Sequence, residues 1–135
     1  MEIEQALLAK FQATAGITAL VGTSTNARIY YAGRVPQNAI CPYIVIQEIS
    51  ALRLHSHNGS SGLVTSRIQI SCFDDSYIDV KTLANAVRTA INGFKGLLST
   101  IYVGACIYDN EYDIPDDEAT GISGIGTDYK ITFNE

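Results

Sequence analysis

Apolar and polar residues alternate most cleanly from Leu63 to Phe73, where Val64, Ile68, Ile70 and Cys72 share one face and Thr65, Arg67, Gln69 and Ser71 the other. A period of two predicts a strand with one buried side. From Ser76 the spacing changes: Val80, Leu83, Ala84, Val87, Ala90, Ile91 and Phe94 recur every three or four residues and form the single stripe of an amphipathic helix. Ser76 with Asp79 predicts a capping-box-like start. Asn92-Gly93 supplies a left-handed stop, and Arg88 near that end suits the helix dipole.

The flanking segments yield further elements. Ile3, Leu7, Leu8 and Phe11 mark one face of an N-terminal helix whose first turn carries Glu2 and Glu4 and which Gly16 is expected to end. Thr18 to Gly22 reads as one more helical turn, and Arg28 to Tyr31 as a short extended piece after a polar loop. Pro36 and Pro42 bias their predecessors away from helix, so Gly33 to Pro42 is an irregular connection. Strands are expected from Tyr43 to Leu52, Ile101 to Tyr108 and Gly126 to Phe133. The small and polar residues from Arg53 to Gly62 suit a long hairpin tip. Six of the fourteen acidic residues, Asp109, Glu111, Asp113, Asp116, Asp117 and Glu118, fall within ten positions, which predicts an exposed loop. The element order predicts an α+β domain spanning residues 1–135, with a mainly antiparallel sheet of four or five strands and two main helices on one face.

Composition narrows the function. At 135 residues and 47% hydrophobic content, one domain can bury roughly two-thirds of its unfolded surface. A net charge of −5 and scattered basic residues argue against a general nucleic-acid binder, because phosphate contact needs clustered Lys and Arg. Cys41, Cys72 and Cys106 are odd in number and far apart, with neither zinc spacing nor a disulfide framework, and read as reduced core residues. No basic leader precedes an apolar run at the N-terminus and no run reaches membrane-spanning length, so the expectation is a soluble, unsecreted protein without membrane contact.

Each candidate for chemistry has a simpler explanation. His55-x-His57 could place two imidazoles on one side of an extended segment, but nothing fixes a third ligand, so a solvated tip is favoured over a metal site. Counted from Asp109, the sixth and twelfth positions are Ile114 and Thr120, which fails the calcium-loop pattern of Gly and Glu. Gly121 to Gly126 leads into a strand, where a dinucleotide cradle would open a helix; a bulged or flexible strand entry fits better. With both histidines on one loop and no Gly-x-Ser-x-Gly elbow, the sequence offers no nucleophilic triad. Clustered carboxylates occur only where water surrounds them. No catalytic, cofactor or metal residue is expected, and the eight tyrosines are mostly sheet-edge packing.

A family resemblance agrees with a non-catalytic building block. Arg34-Val35-Pro36-Gln37-Asn38-Ala39, then Pro42-Tyr43-Ile44-Val45, Gly62-Leu63, Arg67-Ile68-Gln69-Ile70, Leu83 to Arg88 and Gly93-Phe94-Lys95-Gly96 resemble the tail-completion proteins of long-tailed bacteriophages. His57 and Ser71 stand where that family more often carries acidic residues. The resemblance implies a fold similar to tail terminators and head-to-tail joining proteins, and a homo-oligomeric ring, usually of six copies, that caps the tail tube and meets the head connector. It implies a virion protein at the head-tail junction, assembled in the host cytoplasm, with DNA passing through the ring without specific binding. Within that role His55, Ser56, His57 and Asn58 are candidates for contact with a neighbouring subunit or the tail tube. Asp113, Asp116, Asp117 and Glu118 are candidates for the channel wall or a basic connector surface. The alternatives are a minor tail or baseplate ring component and, from another class, a small-ligand-binding domain or enzyme, which would need a cavity ringed by convergent polar groups.

Overall fold

The computed structural model describes residues 2–23, 27–56, 59–115 and 119–134. Its elements, in chain order, are α1 (Ile3–Gln12), α2 (Ala15–Val21), β1 (Ile29–Tyr31), β2 (Tyr43–Ser56), β3 (Gly59–Asp74), α3 (Tyr77–Ile91), β4 (Gly96–Leu98), β5 (Ile101–Ile114) and β6 (Ser123–Asn134). The strands form one sheet in the order β1-β2-β3-β6-β5-β4. The β1–β2 pair is parallel and the others are antiparallel. The fold is therefore α+β, with six strands in a mixed sheet where four or five, mainly antiparallel, were expected, and three helices: the two main ones expected and α2, which begins earlier than the single turn expected at Thr18 to Gly22. β1 falls within the short extended piece expected from Arg28 to Tyr31, whereas the three-residue β4 is too short to show a hydrophobic period and was not expected.

The long strands keep the alternation that predicts them. Val64, Ser66, Ile68, Ile70 and Cys72 of β3 are all nearly or fully buried. Their ladder partners on β6 are Phe133, Ile131, Tyr129, Thr127 and Ile125, each likewise buried. Ile44 and Ile46 extend this face on β2, and Val103 and Cys106 on β5. The stripe of α3 packs into the same cluster: Val80, Leu83, Ala84, Val87 and Ile91 are buried, while Ala90 and Phe94 pack at its margin. Ile3, Ala6, Leu7 and Phe11 of α1 and Ile17 and Val21 of α2 complete it. Among the described residues no helix is long and apolar enough to cross a membrane.

Local signals hold unevenly. Ser76 is the N-cap of α3 but makes no side-chain cap bond, so the capping box with Asp79 does not form. Instead a box-like bond forms at α1, where Gln5 Oε1 accepts from the Glu2 amide at 2.8 Å. Asn92 caps the end of α3, and Gly93 follows with φ +76°, a left-handed conformation that glycine adopts without a Cβ penalty. The N-terminal helix ends earlier than Gly16, which lies inside α2. Cys72 and Cys106 are core residues, whereas Cys41 is only half-buried.

Ile91 is 2% exposed against α1 and the sheet, so Ile91→Ala should cost about 2–5 kcal/mol in a denaturant titration through lost transfer energy and a cavity. Among the described residues the buried Tyr129 hydroxyl has no hydrogen-bond partner, and burial pushes its pKa well above the ordinary range. Tyr129→Phe should therefore unfold no earlier than the parent protein, and up to about 1 kcal/mol later, since an unsatisfied buried hydroxyl is a cost.

Candidate functional site

The sheet face opposite the helices is built from the intervening residues of the same strands. Ladder pairing sets its rows from β2 to β5: Leu52, Thr65, Thr132, Ala105; then Ser50, Arg67, Lys130, Ile107; then Gln47, Gln69, Asp128, Asn110; then Val45, Ser71, Gly126, Tyr112. Its centre is charged and internally paired. Arg67 Nη1 donates to Asp109 Oδ2 at 2.7 Å and to Asp128 Oδ2 at 3.4 Å, and Lys130 Nζ lies 4.0 Å from Asp109 Oδ1. Asp109 reaches Arg67 from a register shift between Tyr108 and Asn110, a bulge that re-aims one side chain. Two cations and two carboxylates leave this centre with no net charge. Thr65 and Thr132 hydroxyls bond across the strands at 3.1 Å.

Gly126 and Gly124 are where this face needs glycine. A Cβ on Gly126 would lie 2.5 Å from the Tyr112 ring, and one on Gly124 would lie 2.8 Å from the Phe73 ring. The glycine-rich entry to β6 therefore seats two aromatic rings and stays in continuous register with β3, so it is neither bulged nor a phosphate cradle.

The expected long tip at Arg53 to Gly62 is instead mostly paired backbone. β2 and β3 continue past the end of β6, which stops opposite Leu63, and their last pairs are His55 with Ser60 and Ser56 with Gly59. The result is a two-stranded arm. Leu52, Leu54 and His55 on it are exposed. His57 and Asn58 lie outside the described residues.

The acidic run likewise divides. Asp109, Glu111 and Asp113 belong to β5, because their backbone lies along β6, and are not in a loop as expected. Glu111 and Asp113 point to the helix side, where Lys81 Nζ donates to Glu111 at 3.3 Å and the Tyr77 hydroxyl donates to Asp113 at 3.2 Å. The bond to Glu111 holds the Lys81 ammonium above its ordinary pKa. Asp116, Asp117 and Glu118 lie outside the described residues. The structure adds acids that sequence clustering misses: Asp74 and Asp75 end β3, and Asp79 opens α3, on the same end of the sheet as Asp113. Their only signal in the sequence is adjacency to an element boundary.

The grooves offer no reactive set. One of about 570 Å³ beside β1 and β2 is lined by Glu2, Glu4, Gln5, Tyr31, Gln47 and Glu48, and burial together with Glu4 raises the Tyr31 hydroxyl pKa. Among the described residues no three His, Cys, Asp or Glu side chains converge to hold a metal ion. Burial pushes the Cys72 and Cys106 thiols up to about 12, which keeps them protonated and unreactive. Burial, with Asp75 and Asp74, raises Cys41 as well.

Removing Arg67 leaves two carboxylates facing each other, so Arg67→Met should destabilise by about 1 kcal/mol, and added salt should narrow the difference from the parent. Alkylation of the folded protein at pH 8 should modify Cys41 alone. Asp75→Asn should speed that reaction, because it removes a charge and a hydrogen bond that disfavour the thiolate; equal rates would separate Cys41 from this acidic end.

No curated protein sequence matches this chain. Its fold is similar to that of a protein in the virion of a native gene transfer agent particle, with a TM-score of 0.78, 20% identity, and coverage of 98% of this chain and 95% of that one. A family model described as tail completion protein gp17 matches residues 5–106. That match takes in most of α1, then α2, the β2–β3 arm, α3 and the start of β5, and with it the chain belongs to the tail completion protein gp17 family of structural phage-tail proteins.

Proposed function

We propose that copies of this chain, each acting as one domain over residues 1–135, close into a ring, usually of six, that caps the tail tube and joins the tail to the head connector. The family match over residues 5–106 carries this reading. The surface supports it. An open sheet face whose charges are paired among themselves gives passing DNA no cationic track to bind, and a net charge of −5 repels phosphate. The β2–β3 arm, through His55 and Ser56, and with them His57 and Asn58, meets a neighbouring subunit or the tail tube. Asp113, together with Asp116, Asp117 and Glu118, presents negative charge to the connector or the channel, and Asp113 also borders the contact between copies. Repeated around a ring, those carboxylates set up a negative field that physiological salt confines to about 8 Å. The protein acts in the virion at the head-tail junction after assembly in the host cytoplasm, without catalysis or cofactor.

Mass photometry and negative-stain imaging, with the protein alone and with its tail-tube protein, should give one oligomeric species with a central hole, seated on the tube end that meets the head. Seating at the opposite end would favour a baseplate component. Asp113→Asn combined with Asp116→Asn and Asp117→Asn should leave the melting temperature close to that of the parent. A docking role predicts slower tail joining with a weaker salt dependence, a channel role predicts normal joining with slower DNA passage, and normal behaviour in both assays would remove the acidic end from the mechanism.

A further inference from the structure

Among the described residues a strand flanks β2 and β5 at only one end each, and the two flanked ends are opposite. β1 flanks β2 from Ile44 to Ile46, and beyond that, among the described residues, no strand lies along the outer side of β2. β4 flanks β5 from Ile101 to Val103, and the turn after α3 uses the next groups, with the Gly93 amide donating to the Cys106 carbonyl and Asn92 Oδ1 accepting from the Tyr108 amide. From Asn110 to Ile114 no strand flanks β5 among the described residues. An exposed strand edge is a template for another strand unless something blunts it. Here two such edges lie on opposite sides of one molecule, which is the arrangement a head-to-tail contact between identical copies requires.

We infer that copies join by pairing the outer edge of β2 from Ser50 to Arg53 with the outer edge of β5 from Glu111 to Ile114 on the next copy, in an antiparallel ladder that sets Leu52 opposite Tyr112. This rests on the ring proposed above and names the surface that closes it. β2 and β5 run in opposite senses within one sheet, so copies related by rotation bring them together antiparallel. The faces agree. Leu52, 67% exposed, and Tyr112, 37% exposed, both belong to the open face, because their ladder partners are Thr65 and Gly126. Arg53 belongs to the helix side through Val64, as do Glu111 through Thr127 and Asp113 through Ile125. The stated register therefore places the Arg53 guanidinium opposite one carboxylate and diagonal to the other, within the reach of cross-strand pairs. A slip of one residue would set Leu52 against an acid on the wrong side.

The register also yields a closed geometry. Within one copy Tyr112 shares its row with Val45, whereas in the contact it stands against Leu52, seven residues further along β2 with one of them taken up by the bulge between Glu48 and Ser50. That stagger is about 20 Å at roughly 3.3 Å per residue, over a width of about 19 Å for four strands at roughly 4.8 Å each. The ratio is a strand tilt of about 45°, at the upper end of what closed sheets adopt. Because β1 and β4 cover opposite ends of the two edges, an unstaggered contact is blocked and this one is left open.

The test places cysteines at two facing helix-side positions, Ala51→Cys and Asp113→Cys, in a Cys41→Ser background, where Cys72 and Cys106 are buried. Mild oxidation of the assembled double variant should give covalent multimers up to ring size on a non-reducing gel, reduction should return the monomer, and neither single variant should cross-link beyond background. In parallel, Arg53→Glu should raise the concentration needed for assembly about tenfold, and adding Asp113→Lys, at the diagonal position, should recover part of that loss, with Glu111 still opposite. A double-cysteine variant that reaches the parent's oligomeric mass without cross-linking overturns the edge contact and leaves the ring standing. A protein that remains monomeric, alone and with the tail tube, overturns both.

Discussion

The pairing of β3 with β6 is the constraint on which the rest of the molecule depends. It runs without a register shift from Leu63 opposite Asn134 to Asp74 opposite Ser123, while both neighbouring pairs, β2 with β3 and β5 with β6, contain bulges. An uninterrupted central ladder holds two parities at once. Every second residue feeds the core under α3, and the residues between them build the open face with its Arg67 network. Sliding this ladder by one residue would turn Ile68 and Ile70 to water and Arg67 into the core, a double penalty.

The bulges then serve the periphery. That between Tyr108 and Asn110 brings Asp109 to Arg67, and beyond it the acids of β5 fall on the helix side, where Lys81 and Tyr77 hold them against α3. The same strand thus contributes carboxylates to both faces. Charge at the centre of the open face is neutralised locally, whereas at the end of the sheet it accumulates, since Asp74, Asp75, Asp79 and Asp113 gather there with one nearby ammonium at Lys81.

Elements were legible wherever the apolar period ran for several turns or pleats. The stripe of α3 from Val80 to Ile91 and the buried face of β3 follow from spacing alone, as does the face of α1. Ends were less so. Arg53 to Gly62 looks like a loop because Ser, Gly, Asn and His crowd it, yet its backbone is ladder-paired to Ser56 and Gly59; two strands that bond to each other need no hydrophobic alternation once they leave the core behind. Gly124 and Gly126 looked like a flexible entry, and their reason is a pair of aromatic rings, Phe73 and Tyr112, that arrive from neighbouring strands.

What the sequence determined by itself is the α+β composition, the buried faces of α1, α3 and the long strands, the net charge of −5 with its scattered basic residues, and a resemblance that the family match bears out. Each follows from local periodicity or from residue inventory, which act over a few positions. Tertiary structure alone decided which acids are solvated and which are held, that Arg67 lies between Asp109 and Asp128, and which strand edges remain open. Those depend on contacts between residues 30 to 61 positions apart, and on the short flanking strands β1 and β4, whose three residues each carry no period and take their place only because β2 and β5 are there to pair with.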